Sequence, residues 1–465
     1  MKKKQLLATL ISFVTFSASA QPSAPLTLQQ LKDSALSHNI AIRSAQHDID
    51  AARQQRREAF TKYFPTVSGT AMTFNANRGM AKMSVAPQEF IPASMGATLS
   101  QMLPAEALTA LASPISMSMM KNGTIASLMA MQPVFAGGQI VNGNRLARVG
   151  EDVSHLQMQL RRQEVERQTE QYYWQLVSLQ QKRQTLDAVD TLLADIYKDV
   201  DVAVRAGVAL RNDLLQVQLR QNDIKSQRLK LENGIDIVKL LLGQYCGLTG
   251  SDELRVMSDE FVAAQGEQDS EAVANSSLFA LHSSLKSSSL ASLPEYQLLE
   301  KQVEAARLQK KMTLGQQLPT VAVGAGYNYH NLLDNDRTFA MVFATVSVPI
   351  SDWWGGSHAL KRRSIEVQKA EEQLSDNAQL LSIRMQKVEN DVQEAFQQLQ
   401  LARQGLQQAE ENLRLNRDRY RAGTSTMSDL LQAQLLCQQE RDKLTDAYAD
   451  LHLRQLDLRQ ATGQQ

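Results

Sequence analysis

The stretch RAGVALRNDLLQVQL at 205–219 returns as RAGTSTMSDLLQAQL at 421–435, with nine of fifteen positions identical. The second copy starts 216 residues after the first. Neither copy holds a nucleophile–base pair or a metal-ligand cluster, so the duplication points to architecture rather than chemistry. Its surroundings narrow that architecture. No proline occurs between Pro133 and Pro294, and none after Pro349. From about Arg145 to Val204, and again from about Gly356 to Tyr420, the chain is rich in Leu, Gln, Glu, Arg and Ala. Each stretch predicts a helix of some sixty residues, roughly 90 Å long, far beyond the ordinary globular helix.

The apolar periodicity resembles that of coiled coils. Leu186, Val189, Leu193, Ile196, Val200 and Ala203 follow 3–4 spacing, as do Leu399, Ala402, Leu406, Ala409, Leu413, Asn416 and Tyr420. After each long helix a glycine, Gly207 or Gly423, suits the left-handed turn that ends a helix. Asp213 and Asp429 then place negative charge where the next helix begins and can cap it. The return helix carries Gln221 and Arg228 in the same register as Val217, Ile224, Leu231 and Ile235, which argues against a single dry coiled coil. Each copy therefore reads as the tip of a long helical hairpin, about 205–213 and 421–429.

The duplication extends further. AARQQRREAFTKYFPTV at 51–67 matches AARLQKKMTLGQQLPTV at 305–321. QPVFAGG at 132–138 resembles VPISDWWGG at 348–356, and VERQTEQYYWQL at 165–176 resembles VENDVQEAFQQL at 388–399. Each half reads helix, strand, loop, strand, long helix, tip, return helix. The strands are expected at about 64–76 and 124–133 in the first half, and 318–330 and 338–349 in the second. Val321, Val323, Ala325, Tyr327 and Tyr329 alternate with small and polar residues, giving one apolar face. A long loop, 77–123, separates the first pair. The expected organisation is a signal segment 1–20, a first repeat 21–248, a Ser-rich connector 249–293 and a second repeat 294–465.

The signal reading rests on Lys2, Lys3 and Lys4, the apolar run Leu6 to Phe16 and the small-x-small site Ala18-Ser19-Ala20. No later apolar run is long enough for a transmembrane helix, but an exported chain can enter a membrane as a β-barrel. Forty-nine basic and 49 acidic residues balance to zero, which gives no support to a nucleic-acid partner. Cys246 and Cys437 stand at different distances from their tips, so two free structural thiols are expected rather than a disulfide. Met80, Met83, Met95, Met102, Met117, Met119 and Met120 lie in the long loop, with Met129 and Met131 just beyond. Soft-metal capture and apolar loop packing both fit them. Trp353 and Trp354 fit either an interfacial aromatic belt or a sheet-to-helix junction. The scattered histidines form no metal site, and no phosphate loop, triad or carboxylate pair supports an enzyme; no cofactor is expected.

Four strands cannot enclose water, and an open sheet with an apolar face leaves unpaired edges. Three copies would supply twelve strands and enough helix for a tube with polar seams. The predicted class is mainly α with membrane β: duplicated helical hairpins forming an α-barrel, plus four strands per protomer in a trimeric 12-stranded β-barrel.

On the two tips, the FPTV and LPTV strand starts and the two strand-to-helix junctions, the mature chain resembles the TolC-like outer-membrane efflux family. That resemblance implies a homotrimeric, passive exit duct in the outer membrane of a Gram-negative bacterium, with its helical part in the periplasm. Its implied partners are outer-membrane lipid, a periplasmic membrane-fusion adaptor and an inner-membrane transporter of RND, ABC or MFS type. The cargo would be small molecules or proteins exported by a tripartite efflux or type I secretion pump. It also implies that Asp429 lines a constriction at the periplasmic entrance, which Asp213 and Tyr420 help hold shut. A second acidic ring in some members falls at Gln432 and a latch arginine at Ser425, so this chain departs from the family there. The tip residues Arg205, Gly207, Leu214, Leu215, Arg421, Gly423, Leu430 and Leu431 are candidates for adaptor docking, with core packing the competing role for the leucines. A periplasmic coiled-coil adaptor or a structural envelope tether are the alternatives.

Overall fold

The computed structural model describes residues 26–248 and 290–463, except 332–335, 351 and parts of 79–120. The signal segment, the connector up to residue 289 and Met80, Met102 and Met120 lie outside the described residues.

In chain order the elements are α1 (Leu28–His38), α2 (Ile40–Thr61), β1 (Thr66–Asn75), β2 (Ala81–Val85), β3 (Ile115–Met119), β4 (Asn122–Ala136), α3 (Gln139–Arg205) and α4 (Arg211–Cys246). A 3₁₀ turn (Leu290–Ser292) leads to α5 (Pro294–Gln316), β5 (Thr320–Asn331), β6 (Asp336–Ser347), α6 (Asp352–Arg421) and α7 (Met427–Thr462). The repeat is visible in the lengths: α3 and α6 have 67 and 70 residues, and α4 and α7 have 36 each. Three elements were not foreseen. Helix α1 begins at Thr27, whose hydroxyl caps Gln30 while the Gln30 side chain reaches back to the Thr27 amide. The long loop also carries β2 and β3, an antiparallel pair with Met83 opposite Met117. Their five-residue stretches alternate Met with Ser or Lys, so the strand pattern of period two was present in the sequence.

The chain divides into two compact units, each drawing on both repeats. One comprises Ala51–Asp152 and Lys301–Glu372. Its sheet runs β1-β4-β5-β6, all antiparallel. The register puts Val67, Leu128, Tyr327, Val342 and Val346 on one face, because Val67 pairs Ala130, Leu128 pairs Tyr327 and Ala325 pairs Val342. All five are exposed in the protomer, Val342 at 86%. A soluble sheet buries such a face. A register shift between Pro133 and Phe135 marks the end of the regular β4 ladder. Gly137 then turns the chain into α3 with φ +57°, and a Cβ there would sit 2.1 Å from the Gly315 carbonyl oxygen. The matching junction of the second half is held by Gln317, which donates to the Gly356 carbonyl at 2.6 Å. Trp354 sits in the first turn of α6 and is exposed, so it does not pack into the junction within the protomer.

The other unit, Met1–Asp50, Val153–Glu300 and Gln373–Gln465, is helical among its described residues. Its cores are the apolar seams read from the sequence. Leu186, Val189, Leu193, Ile196 and Val200 of α3 meet Val217 and Ile224 of α4 and Met427 and Leu430 of α7. A second cluster joins Leu31 and Ala35 of α1 to Tyr173 and Trp174 of α3 and Ile235, Val238 and Leu242 of α4. A third joins Val392, Ala395 and Leu399 of α6 to Leu444, Leu451 and Leu458 of α7. The polar seam positions are solved by pairing: Arg228 reaches Asp187 at 2.6 Å and Glu232 at 3.3 Å. Both thiols are free and buried, and burial pushes the Cys246 thiol up to about 11. No described helix is long and apolar enough to cross a membrane.

Candidate functional site at the hairpin tips

The two tips close by one hydrogen-bond scheme. At the first, Gly207 N–H donates to Val204 and Val208 N–H to Ala203. At the second, Gly423 N–H donates to Tyr420 and Thr424 N–H to Arg419. This is the double closure that satisfies the last carbonyls of a helix, and it needs a left-handed residue at its centre. Gly207 and Gly423 supply it with φ +74° and +73°. Short loops, 206–210 and 422–426, then open α4 and α7.

Neither aspartate is the capping residue itself; both are the third residue of their helices. Asp429 accepts from the Thr426 amide at 3.0 Å, the Thr426 hydroxyl at 2.7 Å and the Ser425 hydroxyl at 3.3 Å, while Thr426 Oγ1 accepts from the Asp429 amide. The Thr426 hydroxyl first, then its amide, then Ser425 hold the Asp429 carboxyl below its usual range. Asp213 faces the weaker version: the Leu210 amide donates to it at 3.4 Å, and Leu210 has no side-chain acceptor to answer with.

Tyr420 packs, half-buried, against the apolar cluster of α3, α4 and α7. Burial pushes its phenol up, and the negative charges of Asp213 and Asp199 add to the shift. Asp213 thus lies close enough to Tyr420 for its charge to act on the phenol. So does Asp199, whose carboxylate also stands 3.8 Å from Arg421. Asp429 makes its described contacts within its own tip.

The docking candidates separate. Arg205 pairs with Asp201 at 2.6 Å on its own helix. Leu430 is 1% exposed in the core, so it has no surface to offer a partner, and Leu214 and Leu431 pack partly against the same core. Leu215 is 48% exposed. The exposed apolar surface at the tips is instead Val208 and Leu210, at 80% and 70%.

A polar layer sits about two to four turns into α4 and α7 from the tips. Arg220 of α4 donates to Gln434 at 3.1 Å and to Gln438 at 2.9 Å, and Gln438 donates to Gln227 at 3.0 Å. Burial lowers the Arg220 guanidinium's pKa from its usual value. Gln434 and Gln438 are buried. Each bond joins α4 to α7 across more than 200 residues of chain, a pairing no local pattern announces. Among the described residues no group of three or more His, Cys, Asp or Glu could hold a metal ion.

Comparison with known proteins supplies the context. Residues 285–464 match the family model described as outer membrane efflux protein. No curated protein matches. Among solved structures, the outer membrane protein VceC from Vibrio cholerae is 15% identical, with a TM-score of 0.69 over 94% of this chain and 96% of that one. The CmeC outer membrane channel of Campylobacter jejuni is 13% identical, with a TM-score of 0.70 over 100% and 94%. The MtrE outer membrane channel of Neisseria gonorrhoeae, in its open state, is 14% identical, with a TM-score of 0.67 over 94% and 88%. Residues 285–464 are therefore similar to the outer membrane efflux protein family, and over nearly all its length the chain has the fold of these outer membrane channels.

Proposed function

We propose that this chain is a passive exit duct of the outer membrane, built from three copies. The observation that carries the proposal is the four-stranded sheet. Among the described residues β1 and β6 each pair on one side only, and one sheet face presents Val67, Leu128, Tyr327, Val342 and Val346 to the surroundings. Strands of 10, 15, 12 and 12 residues are long enough to cross a bilayer as tilted barrel strands. Joining β1 of one copy to β6 of the next removes both edges, and twelve strands leave room for water. An adaptor or a tether would leave both the edges and the apolar face without a partner.

The hairpins then form the periplasmic wall of the duct. Asp213, Tyr420 and Asp429 narrow its entrance, with Asp199 and Arg421 tying the long helices of the two hairpins beside them. A periplasmic adaptor docks on the exposed apolar surface of the first tip, Val208, Leu210 and Leu215, and an inner-membrane transporter supplies the cargo and the energy. The duct itself performs no chemistry.

Single-channel recording in planar bilayers tests this. Wild-type protein should conduct poorly with a cation preference, and Asp429→Ala and Tyr420→Phe should raise conductance or weaken that preference. Unchanged currents in both variants would remove the constriction roles. Protein that migrates as a monomer, lacks heat-sensitive β-structure and never conducts would remove the duct.

A further inference from the structure

Between the last turns of α2 and the first turns of α3, within the sheet unit, lies a groove of about 640 Å³. Five arginines line it: Arg53, Arg56 and Arg57 from α2, and Arg145 and Arg148 from α3. Glu151 is the one carboxylate among the lining residues. It is engaged already, accepting from Arg56 at 2.8 Å and standing 3.6 Å from Arg53. Those contacts, the Arg56 hydrogen bond first, hold its carboxyl below the usual range, so it stays ionised and its single charge is spent on that pair. Arg57, Arg145 and Arg148 remain in excess. They lie on facing helices that Asn144 ties together by donating to the Ala59 carbonyl at 2.9 Å.

The groove has an apolar rim. Phe60 and Tyr63 line it, and Phe60 packs edge-on against Tyr63 and Phe64, with ring centroids 5.6 and 5.5 Å apart. All three rings are exposed in the protomer. Arg53, Arg56, Arg57 and Phe60 fall at i, i+3, i+4 and i+7, one face of α2, and β1 begins at Thr66, two residues beyond Phe64. Cationic forks below and aromatic rings above, at the foot of a sheet with an apolar face, match the order of an amphiphile: charged head first, hydrocarbon next.

We propose that this groove binds the phosphate headgroup of an anionic phospholipid from the inner leaflet of the surrounding membrane, with Arg57, Arg145 and Arg148 holding the phosphate and Phe60, Tyr63 and Phe64 lying along the acyl chains. The inference rests on the reading of the sheet as a membrane barrel. A guanidinium fork matches phosphate oxygens in pairs, and each cation near an anionic surface adds to the attraction.

The test uses full-length protein in nanodiscs of phosphatidylcholine alone or mixed with phosphatidylglycerol. Lipid retained after release is counted by native mass spectrometry, and heat-sensitive trimer is scored in the same samples. Phosphatidylglycerol should be retained in preference to phosphatidylcholine. The triple substitution Arg57→Gln, Arg145→Gln, Arg148→Gln should weaken that preference roughly ten- to a hundredfold. The matched triple Arg161→Gln, Arg183→Gln, Arg403→Gln in the helical unit should leave it intact, and Arg57→Gln alone should give an intermediate loss should the groove triple fail to fold. Excess inorganic phosphate should not displace the lipid; displacement would make this a free-phosphate site and overturn the lipid assignment. Trimers that insert yet show no preference, or lose it equally in both triples, would overturn the inference alone. Failure of wild-type protein to insert at all would sink the barrel reading beneath it.

Discussion

The first and second hairpin tips share a backbone and differ in what that backbone does. RAG opens both and DLL follows both, and all the divergence between those blocks falls at five consecutive positions, 208–212 against 424–428. In the first tip they are Val, Ala, Leu, Arg and Asn; in the second, Thr, Ser, Thr, Met and Ser. The second set gives a reciprocal cap, Thr426 with Asp429, and plants Met427 in the core beside Leu430. The first set leaves Val208 and Leu210 in the open, and its Arg211 is exposed where Met427 is buried. Duplication kept the turn, which depends on the glycine and the helix ends. Divergence decided which tip is anchored and which presents apolar surface.

The comparison breaks first at the leucines. Leu430→Ala should cost about 2–5 kcal/mol, because it empties a fully buried site. Leu215→Ala should cost less than about 0.5 kcal/mol in the isolated protein, since half of its side chain is already in solvent. Thermal unfolding of the two variants reads both, and equal losses would show that the tips are packed alike. The glycines should behave as a matched pair instead. A Cβ at Gly207 or Gly423 meets no atom within 4 Å, so the cost of Gly→Ala is backbone strain alone, about 1–2 kcal/mol at either tip. Amide hydrogen exchange at the two turns checks this, and a large inequality would mean the shared hydrogen-bond scheme does not carry equal weight.

The caps should respond in opposite directions. Thr426→Ala should loosen the second tip by about 1 kcal/mol, whereas Leu210→Thr should tighten the first by a smaller amount by giving Asp213 a reciprocal partner. Exchange protection at the first turns of α4 and α7 measures both. The smallest effect is that of pH. The folded Asp429 carboxyl titrates below its unfolded value, so its capping contribution is complete above about pH 4 and is lost as pH falls through the lower folded value. Asp429→Asn should abolish that acid-side loosening of the second tip.

Much of the molecule was legible in the sequence for reasons these tips illustrate. The helices, the turns and the strand faces depend on local periodicity and on glycine placement, which a chain carries within a few residues. Val321, Val323, Ala325, Tyr327 and Tyr329 share a sheet face because side chains alternate, and the register then aligns Val342 and Leu128 with them. The gate roles expected of Asp213, Tyr420 and Asp429 came from the resemblance rather than from spacing. Helix α1 was missed although Thr27 and Gln30 stand at capping-box spacing, and β2 and β3 were missed although their alternation was in view.

The sequence by itself determined the duplicated helix–strand order, the two closed turns, the apolar sheet face and the free thiols, because each follows from neighbours along the chain or from their period. Only the tertiary structure decided that Leu430 is core while Leu215 is surface, that Asp199 joins Tyr420 and Arg421, that Arg220 bridges to Gln434 and Gln438, and that five arginines converge beside three exposed rings. The physical reason is the same in each case. These outcomes depend on which face of one helix meets which face of another, and contacts made across one or two hundred residues leave no periodic trace in either partner.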